Sequence, residues 1–363
     1  MADAARKRRI HLTSVGSAAH EQLGMLGVRN PQQLLTRARA SMGDRFRITA
    51  NARLIWASED DEQGGRHDDA ARARELERIL GDDNVIGLVT IRGGAWFTRL
   101  IDRIDWDVLK RRTKTLYLFG FSEMTPLIGI AGRSRHVVGL YDMGPGFLYG
   151  GLKRYALNHF EELGGSPDKN HEQRRDFAAS WAAAEGKRAL VRYFKDVAAL
   201  CAGGPSDRVP RGRLLTGRLP ARTDITVVGG NLSLAVTLLG SRHRSVIDRA
   251  GTWLALEDVN EPLDNVDRLL AALKLAGLFE RIEGLVLGDF HKDNDDQARA
   301  VEAMLKYHLP TRKRVPVVRL DNFGHIYPMA PLPLHRRVTL HCRQSSGGHR
   351  TVTIEIPWSR WHR

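Results

Sequence analysis

Two continuous apolar runs constrain what this chain can fold into. Val85-Ile86-Gly87-Leu88-Val89-Thr90-Ile91 ends in Arg92-Gly93-Gly94, and Thr115-Leu116-Tyr117-Leu118-Phe119-Gly120 runs straight into Phe121-Ser122-Glu123-Met124-Thr125-Pro126. Apolar runs without polar alternation are the pattern of strands covered on both faces, as in a parallel sheet flanked by helices. Residues 68–80 carry Ala73, Leu76, Ile79 and Leu80 at helical spacing, behind Asp68 and Asp69 in the first turn. Residues 9–16 read as an opening strand and turn. Residues 1–150 are therefore expected to form an N-terminal α/β domain with a largely parallel sheet and functional loops at the strand C-termini.

Residues 151–212 change character: they are basic and helical in pattern, and read as a connector of about two helices. Leu190, Val191 and Phe194 supply its apolar stripe, expected to pack. Residues 213–363 return to strands. Asp224-Ile225-Thr226-Val227-Val228 leads to Gly229-Gly230-Asn231, and Trp253-Leu254-Ala255-Leu256 stops at Glu257-Asp258. Asp264 is expected to cap a helix with Val266, Leu269, Leu270, Leu273 and Ala276 on one face, closed by Gly277. Gly284-Leu285-Val286-Leu287-Gly288 and Val315-Pro316-Val317-Val318 follow, the latter before Phe323-Gly324-His325. Alternating Val338, Leu340 and Val352, Ile354, Ile356 around Ser346-Gly347-Gly348 predict a closing hairpin. This second domain is expected to be mixed β/α.

The charge balance, 56 Lys plus Arg against 42 Asp plus Glu for a net +14, raises the question of a nucleic-acid partner. The basic clusters at 6–9, 110–114 and 312–314 are dispersed, mostly interleaved with acids, and sit in no nucleic-acid motif. A solvated Arg-rich surface is the reading, and nucleic acid is not expected as a partner. No apolar run approaches the roughly 20 residues of a membrane span. The stretch after Arg6-Lys7-Arg8-Arg9 lacks the apolar core of a secretion signal, so the cytoplasm is the expected compartment, with no membrane partner. Cys201 and Cys342 form neither a disulfide framework nor a CxxC pair. The stretch from His291 to Asp296 lacks the Gly and the distal Glu of a calcium loop and reads as a solvated loop. No metal or cofactor is expected.

Three residues stand where hydrolytic chemistry could arise. Ser122 follows an apolar strand at a strand-to-helix turn, the context of a nucleophile elbow, although the second glycine of GxSxG is missing and a helix cap is the alternative. His325 follows Gly324 just past a buried strand, where a side chain can face a cleft; a surface turn histidine is the alternative. Glu257 ends an apolar strand, where a carboxylate is costly unless paired, or else opens a solvated turn. Spacing alone does not connect them.

Six blocks in order do. Arg92-Gly93-Gly94, Gly120-Phe121-Ser122-Glu123-Met124-Thr125, Gly229-Gly230-Asn231-Leu232, Glu257-Asp258-Val259 followed by Asp267-Arg268-Leu269-Leu270, Gly288-Asp289-Phe290 and Gly324-His325 resemble the LD-carboxypeptidase family of serine peptidases, which also contains the microcin-C immunity peptidases. The resemblance runs from about Asp69 to the final hairpin. It implies Ser122 as nucleophile, His325 as general base and then acid, and Glu257 as the group orienting His325. It implies an oxyanion hole from the backbone N–H groups of Glu123 and of the loop, at Gly94. Arg92, Gly93, Trp96 and Asn231 would contact substrate. Ser122 would come from the first domain and the other two from the second, with the active site at their interface. The implied activity is removal of a terminal D-amino acid, D-Ala from a murein tetrapeptide, in peptidoglycan recycling, by a homodimer. Glu123 replaces the family's usual Asp, and Ala95-Trp96 replaces its usual Tyr-Gly. Trp96 could stack on a base, which keeps open a microcin-C-type peptidase acting on aminoacyl-nucleotide amides. A non-catalytic basic binding protein on the same scaffold is the remaining alternative.

Overall fold

The computed structural model describes residues 8–293, 295–344 and 350–361. The chain packs as two units. One comprises residues up to Gly120, Met143–Ser206 and the C-terminal residues from Trp358; the other comprises Phe121–Asp142 and Asp207–Pro357.

In the first unit, β1 (Arg9–Thr13), β2 (Arg47–Ala50), β3 (Val85–Thr90) and β4 (Leu116–Gly120) pair in parallel in the order β4-β3-β1-β2. Every residue of β3 and β4 is buried, which explains why their sequences show no alternation. Helices Pro31–Met42, Asp69–Leu80, Pro145–Asn158 and His171–Cys201 belong to the same unit. The last of these opens with a capping box in which Asn170 and Gln173 bond each other's backbone N–H. It buries Leu190 and Phe194 fully, whereas Val191 is 37% exposed and lies outside the packed stripe. Three arginines, Arg66, Arg72 and Arg112, are buried here, at a cost that only dense hydrogen bonding offsets. Arg112 Nη1 donates to the carbonyls of Leu80 and Asp82 at 3.1 and 3.0 Å, holding the end of the Asp69–Leu80 helix.

The second unit contains β5 (Val137–Tyr141), β6 (Arg211–Thr216), β7 (Arg222–Asn231), β8 (Trp253–Val259), β9 (Gly284–Lys292), β10 (Asp295–Asp296), β11 (Val317–Leu320), β12 (Leu332–Leu334), β13 (Arg337–Gln344) and β14 (Arg350–Glu355). Pairings run β9-β11-β6-β14-β13-β7-β8 and return from β8 to β9, so the sheet closes into a barrel with β10 flanking β9. Closure removes free edges. Strands β7, β8, β9 and β11 run parallel to their neighbours within that group, and the rest of the ring is antiparallel. The predicted hairpin is β13 with β14, whose Val338, Leu340, Cys342, Val352 and Ile354 point inward; its Ser346-Gly347-Gly348 turn lies outside the described residues. β12 pairs antiparallel with β5. Arg208 grips the fully buried Asp142 bidentately at 2.7 and 3.0 Å, fixing the end of β5.

The helix expected to be capped by Asp264 begins two residues earlier. It spans Leu263–Leu275, with Pro262 at the N-cap and its carbonyl accepting from Asn265 and Val266. Asp264 therefore sits inside the first turn, where it pairs with Arg268 at 3.0 Å. Among the described residues, no helix is long and apolar enough to cross a membrane.

Candidate active site

Ser122 sits two residues past β4, in the second unit with Glu257 and His325. Phe121 is extended, Ser122 turns back with φ +57°, and the tight turn Ser122–Met124 feeds the Thr125–Gly132 helix. A serine in that left-handed region costs on the order of 1 kcal/mol or more and survives only where neighbours over-determine it. They do so here. Thr125 Oγ1 donates to the Ser122 carbonyl at 2.8 Å, the Ser122 N–H donates to the Tyr141 hydroxyl at 3.1 Å, and the Asn231 N–H donates to Thr125 Oγ1 at 3.1 Å. No side-chain cap bond starts either the turn or the helix, so Ser122 is not a helix cap. Phe121 and Glu123 are buried while Ser122 is half-buried, leaving the serine as the accessible residue of the elbow. The Glu123 amide opens the first turn, where N–H groups project from the helix end.

Glu257 lies near the end of β8, fully buried. Its Oε2 meets His325 Nδ1 at 2.6 Å, and its Oε1 accepts from the Tyr141 hydroxyl at 2.5 Å and from Asn231 Nδ2 at 3.4 Å. A carboxylate at Nδ1 places the imidazole N–H there and leaves the Nε2 lone pair as the base. The Phe121 ring packs on the His325 ring at 4.2 Å between centroids, so the residue preceding the serine holds the imidazole plane. Gly324 has φ +107°, and a Cβ there would sit 3.0 Å from Glu257 Oε2 and from the Asp289 amide; only glycine lets the chain approach so closely. Ser122 and Glu257 are thus joined through one phenol, and Glu257 and His325 directly.

Burial, reinforced by the Glu257 charge, pushes the Tyr141 phenol well above its usual pKa, so it stays a hydrogen-bond donor. The same two causes raise the neighbouring Asp258, which accepts from Ser233, Val259 and Asn231. Asn231, expected to contact substrate, is 2% exposed. Its amide N–H groups face Asp258 and Glu257, and its Oδ1 caps the Leu232–Thr237 helix through Leu234 N. It supports the carboxylates from within the fold. His291 is likewise not in a solvated loop: it is buried on β9 and bonded to Asp289 at 2.6 Å.

In the first unit, the Arg92-Gly93-Gly94 loop leaves the end of β3. The Gly93 carbonyl accepts from Ser17 N at 2.8 Å, Gly94 takes φ +77° beside Ser17, and Arg92 Nη1 donates to the Ala18 carbonyl at 2.8 Å. Trp96, at φ +73°, has its carbonyl held by the buried Arg72 at 2.9 Å. Its indole packs against Gly65, with the Arg99 guanidinium 5.1 Å from the ring centroid. Sequence reasoning missed Tyr141, Thr125 and Phe121. Tyr141 reads as one more residue of a buried strand, and nothing in its spacing signals a polar role.

Sequence models of the LD-carboxypeptidase N-terminal and C-terminal domains match residues 10–141 and 226–340. The chain belongs to the LD-carboxypeptidase family. It is 27% identical over 278 residues, 74% of this chain and 76% of the other, to a Vibrio cholerae protein with a provisional carboxypeptidase name. Its fold is similar to that of muramoyltetrapeptide carboxypeptidase from Oxalobacter formigenes (TM-score 0.57, 19% identity, covering 96% of this chain and 99% of that one). It is also similar to that of the microcin C7 self-immunity protein MccF in complex with glutamyl sulfamoyl guanosine (TM-score 0.60, 15% identity, 98% of each chain). The family assignment makes the chain a peptidase of the serine type.

Proposed function

We propose that this protein is an LD-carboxypeptidase that hydrolyses the amide between an L-centre and a terminal D-amino acid, with D-Ala of a murein tetrapeptide as leaving group. The observation that carries the reading is the strained Ser122 elbow joined through Tyr141 to Glu257, which in turn holds His325. His325 Nε2 takes the Ser122 hydroxyl proton as Oγ attacks the carbonyl carbon. The Glu123 amide stabilises the developing oxyanion, a contribution of about 3 kcal/mol for one such donor. The proton then passes from Nε2 to the leaving amine, the C–N bond breaks, and water hydrolyses the acyl-enzyme by the same route. The family's second oxyanion donor, at Gly94, the substrate contacts of Arg92, Gly93 and Trp96, a cytoplasmic role in peptidoglycan recycling, and a homodimer complete the proposal.

The test is D-Ala release from the tetrapeptide and the pentapeptide, followed by mass spectrometry with Ser122→Ala alongside. Release from the tetrapeptide only, lost in the variant, is expected; hydrolysis that survives Ser122→Ala would overturn the mechanism. Likeness to the MccF fold supports a second reading, cleavage of an aminoacyl-nucleotide amide. Turnover of an aminoacyl sulfamoyl nucleotide without turnover of the tetrapeptide would select it.

A further inference from the structure

We infer that Tyr141 is a positioning residue that sets the basicity of His325 by holding one oxygen of Glu257 while anchoring the amide of Ser122. The inference rests on the triad reading above and deepens it. Tyr141 is fully buried at the end of β5, with its ring against Phe121 at 5.5 Å and Phe323 at 5.3 Å between centroids, so its hydroxyl has one place to be. That hydroxyl accepts from Ser122 N at 3.1 Å and donates to Glu257 Oε1 at 2.5 Å. Accepting a bond from the amide polarises the phenol and strengthens its donation to the carboxylate. The short bond draws charge from the carboxylate whose other oxygen faces His325 Nδ1, and so weakens the stabilisation of the imidazolium. Asn231 reaches the same oxygen only at 3.4 Å, which leaves Tyr141 as its close donor among the described residues.

One phenol thereby ties the serine's backbone conformation to the protonation of its base. The other ionisable groups around the pair are Glu123 in the elbow turn, Asp258 on β8, and Asp289 with His291 on β9. All of them remain when Tyr141 alone is changed, so a comparison of variants isolates the phenol.

The experiment follows the His325 imidazole by 15N NMR across pH, assigned through His325→Gln, in the wild-type chain and in Tyr141→Phe. A second form carries 3,5-difluorotyrosine at 141, which keeps the ring and hydroxyl and donates more strongly. Tyr141→Phe is expected to raise the His325 pKa by about half a unit or more, and the difluorinated form to lower it. A purely structural role for Tyr141 would leave both titrations at the wild-type value, and that result overturns the inference. Should Tyr141→Phe not fold, the fluorinated form decides alone. The readout needs no substrate, so an inactive wild-type chain would count against the proposed function and not against this link.

Discussion

Replacing Glu257 by Gln tests the electrostatics of the site with almost no change in volume. The carboxylate faces donors on both sides: Tyr141 Oη and Asn231 Nδ2 at Oε1, and His325 Nδ1 at Oε2. A glutamine has one oxygen to offer and one NH2 to place. The Tyr141 hydroxyl already accepts from Ser122 N and must donate to the side chain, whereas the imidazole can change tautomer, so the glutamine oxygen should turn to Tyr141 and its NH2 to His325. The imidazole must then accept at Nδ1, which moves its proton to Nε2 and removes the base from Ser122. Loss of the correct tautomer in a serine triad costs roughly 10⁴-fold in turnover, which corresponds to about 5.5 kcal/mol on the barrier. The folded state should lose little, because each donor keeps a partner or gains one. The assay is kcat/KM for D-Ala release together with a urea melt. A fall near four decades with a melt close to wild type is expected. Activity within tenfold of wild type at neutral pH would refute the tautomer argument and, with it, the role of Glu257.

Other consequences are open to measurement. Ser122→Gly should relieve the φ +57° strain and stabilise the chain by about 1 kcal/mol in denaturant while abolishing turnover; a destabilised, inactive variant would show that the elbow is unstrained. Gly324→Ala introduces a Cβ 3.0 Å from Glu257 Oε2 at φ +107°, and should cut kcat/KM at least tenfold and lower the Tm; an unaffected variant would show that the Gly324-His325 segment yields freely. His335 is buried close to Arg249, Arg336 and Arg133, and burial first, then those charges, lower its pKa from 6.5 to about 3. Because the unfolded chain binds this proton more readily, its contribution is fully present above about pH 6.5 and is lost as pH falls toward 3, on the order of 5 kcal/mol in total. The slope of unfolding free energy against pH between 6 and 4 should therefore flatten in His335→Gln, and equal slopes would contradict the assignment.

Much of this architecture is legible in the residues. β3 and β4 announce themselves because strands buried on both faces need no alternation, and β13 with β14 because strands buried on one face do. Ser122, Glu257 and His325 each stand at the end or just beyond a strand, where local pattern marks a suspicious polar residue, but only the ordered family blocks connect them. The remainder is tertiary. Closure of the barrel through β8 and β9 joins strands that each read as ordinary apolar runs. The Leu263–Leu275 helix starts at Pro262 because the proline's extended backbone suits an N-cap and its carbonyl serves the first turn. Asn231 looks like a ligand residue and instead braces two carboxylates from inside the fold. Tyr141 gives no local signal at all, since its hydroxyl meets groups as distant in sequence as the Ser122 amide and the Glu257 carboxylate, 19 and 116 positions away.

The most direct test of the central claim is to catch Ser122 in covalent form. The protein is mixed with a murein tetrapeptide, quenched in acid within milliseconds, and weighed intact before peptide mapping. The account predicts a transient mass increase equal to the substrate acyl group without its terminal D-Ala, localised to Ser122 and absent from Ser122→Ala. D-Ala release that proceeds with no adduct and equally well in Ser122→Ala would contradict it.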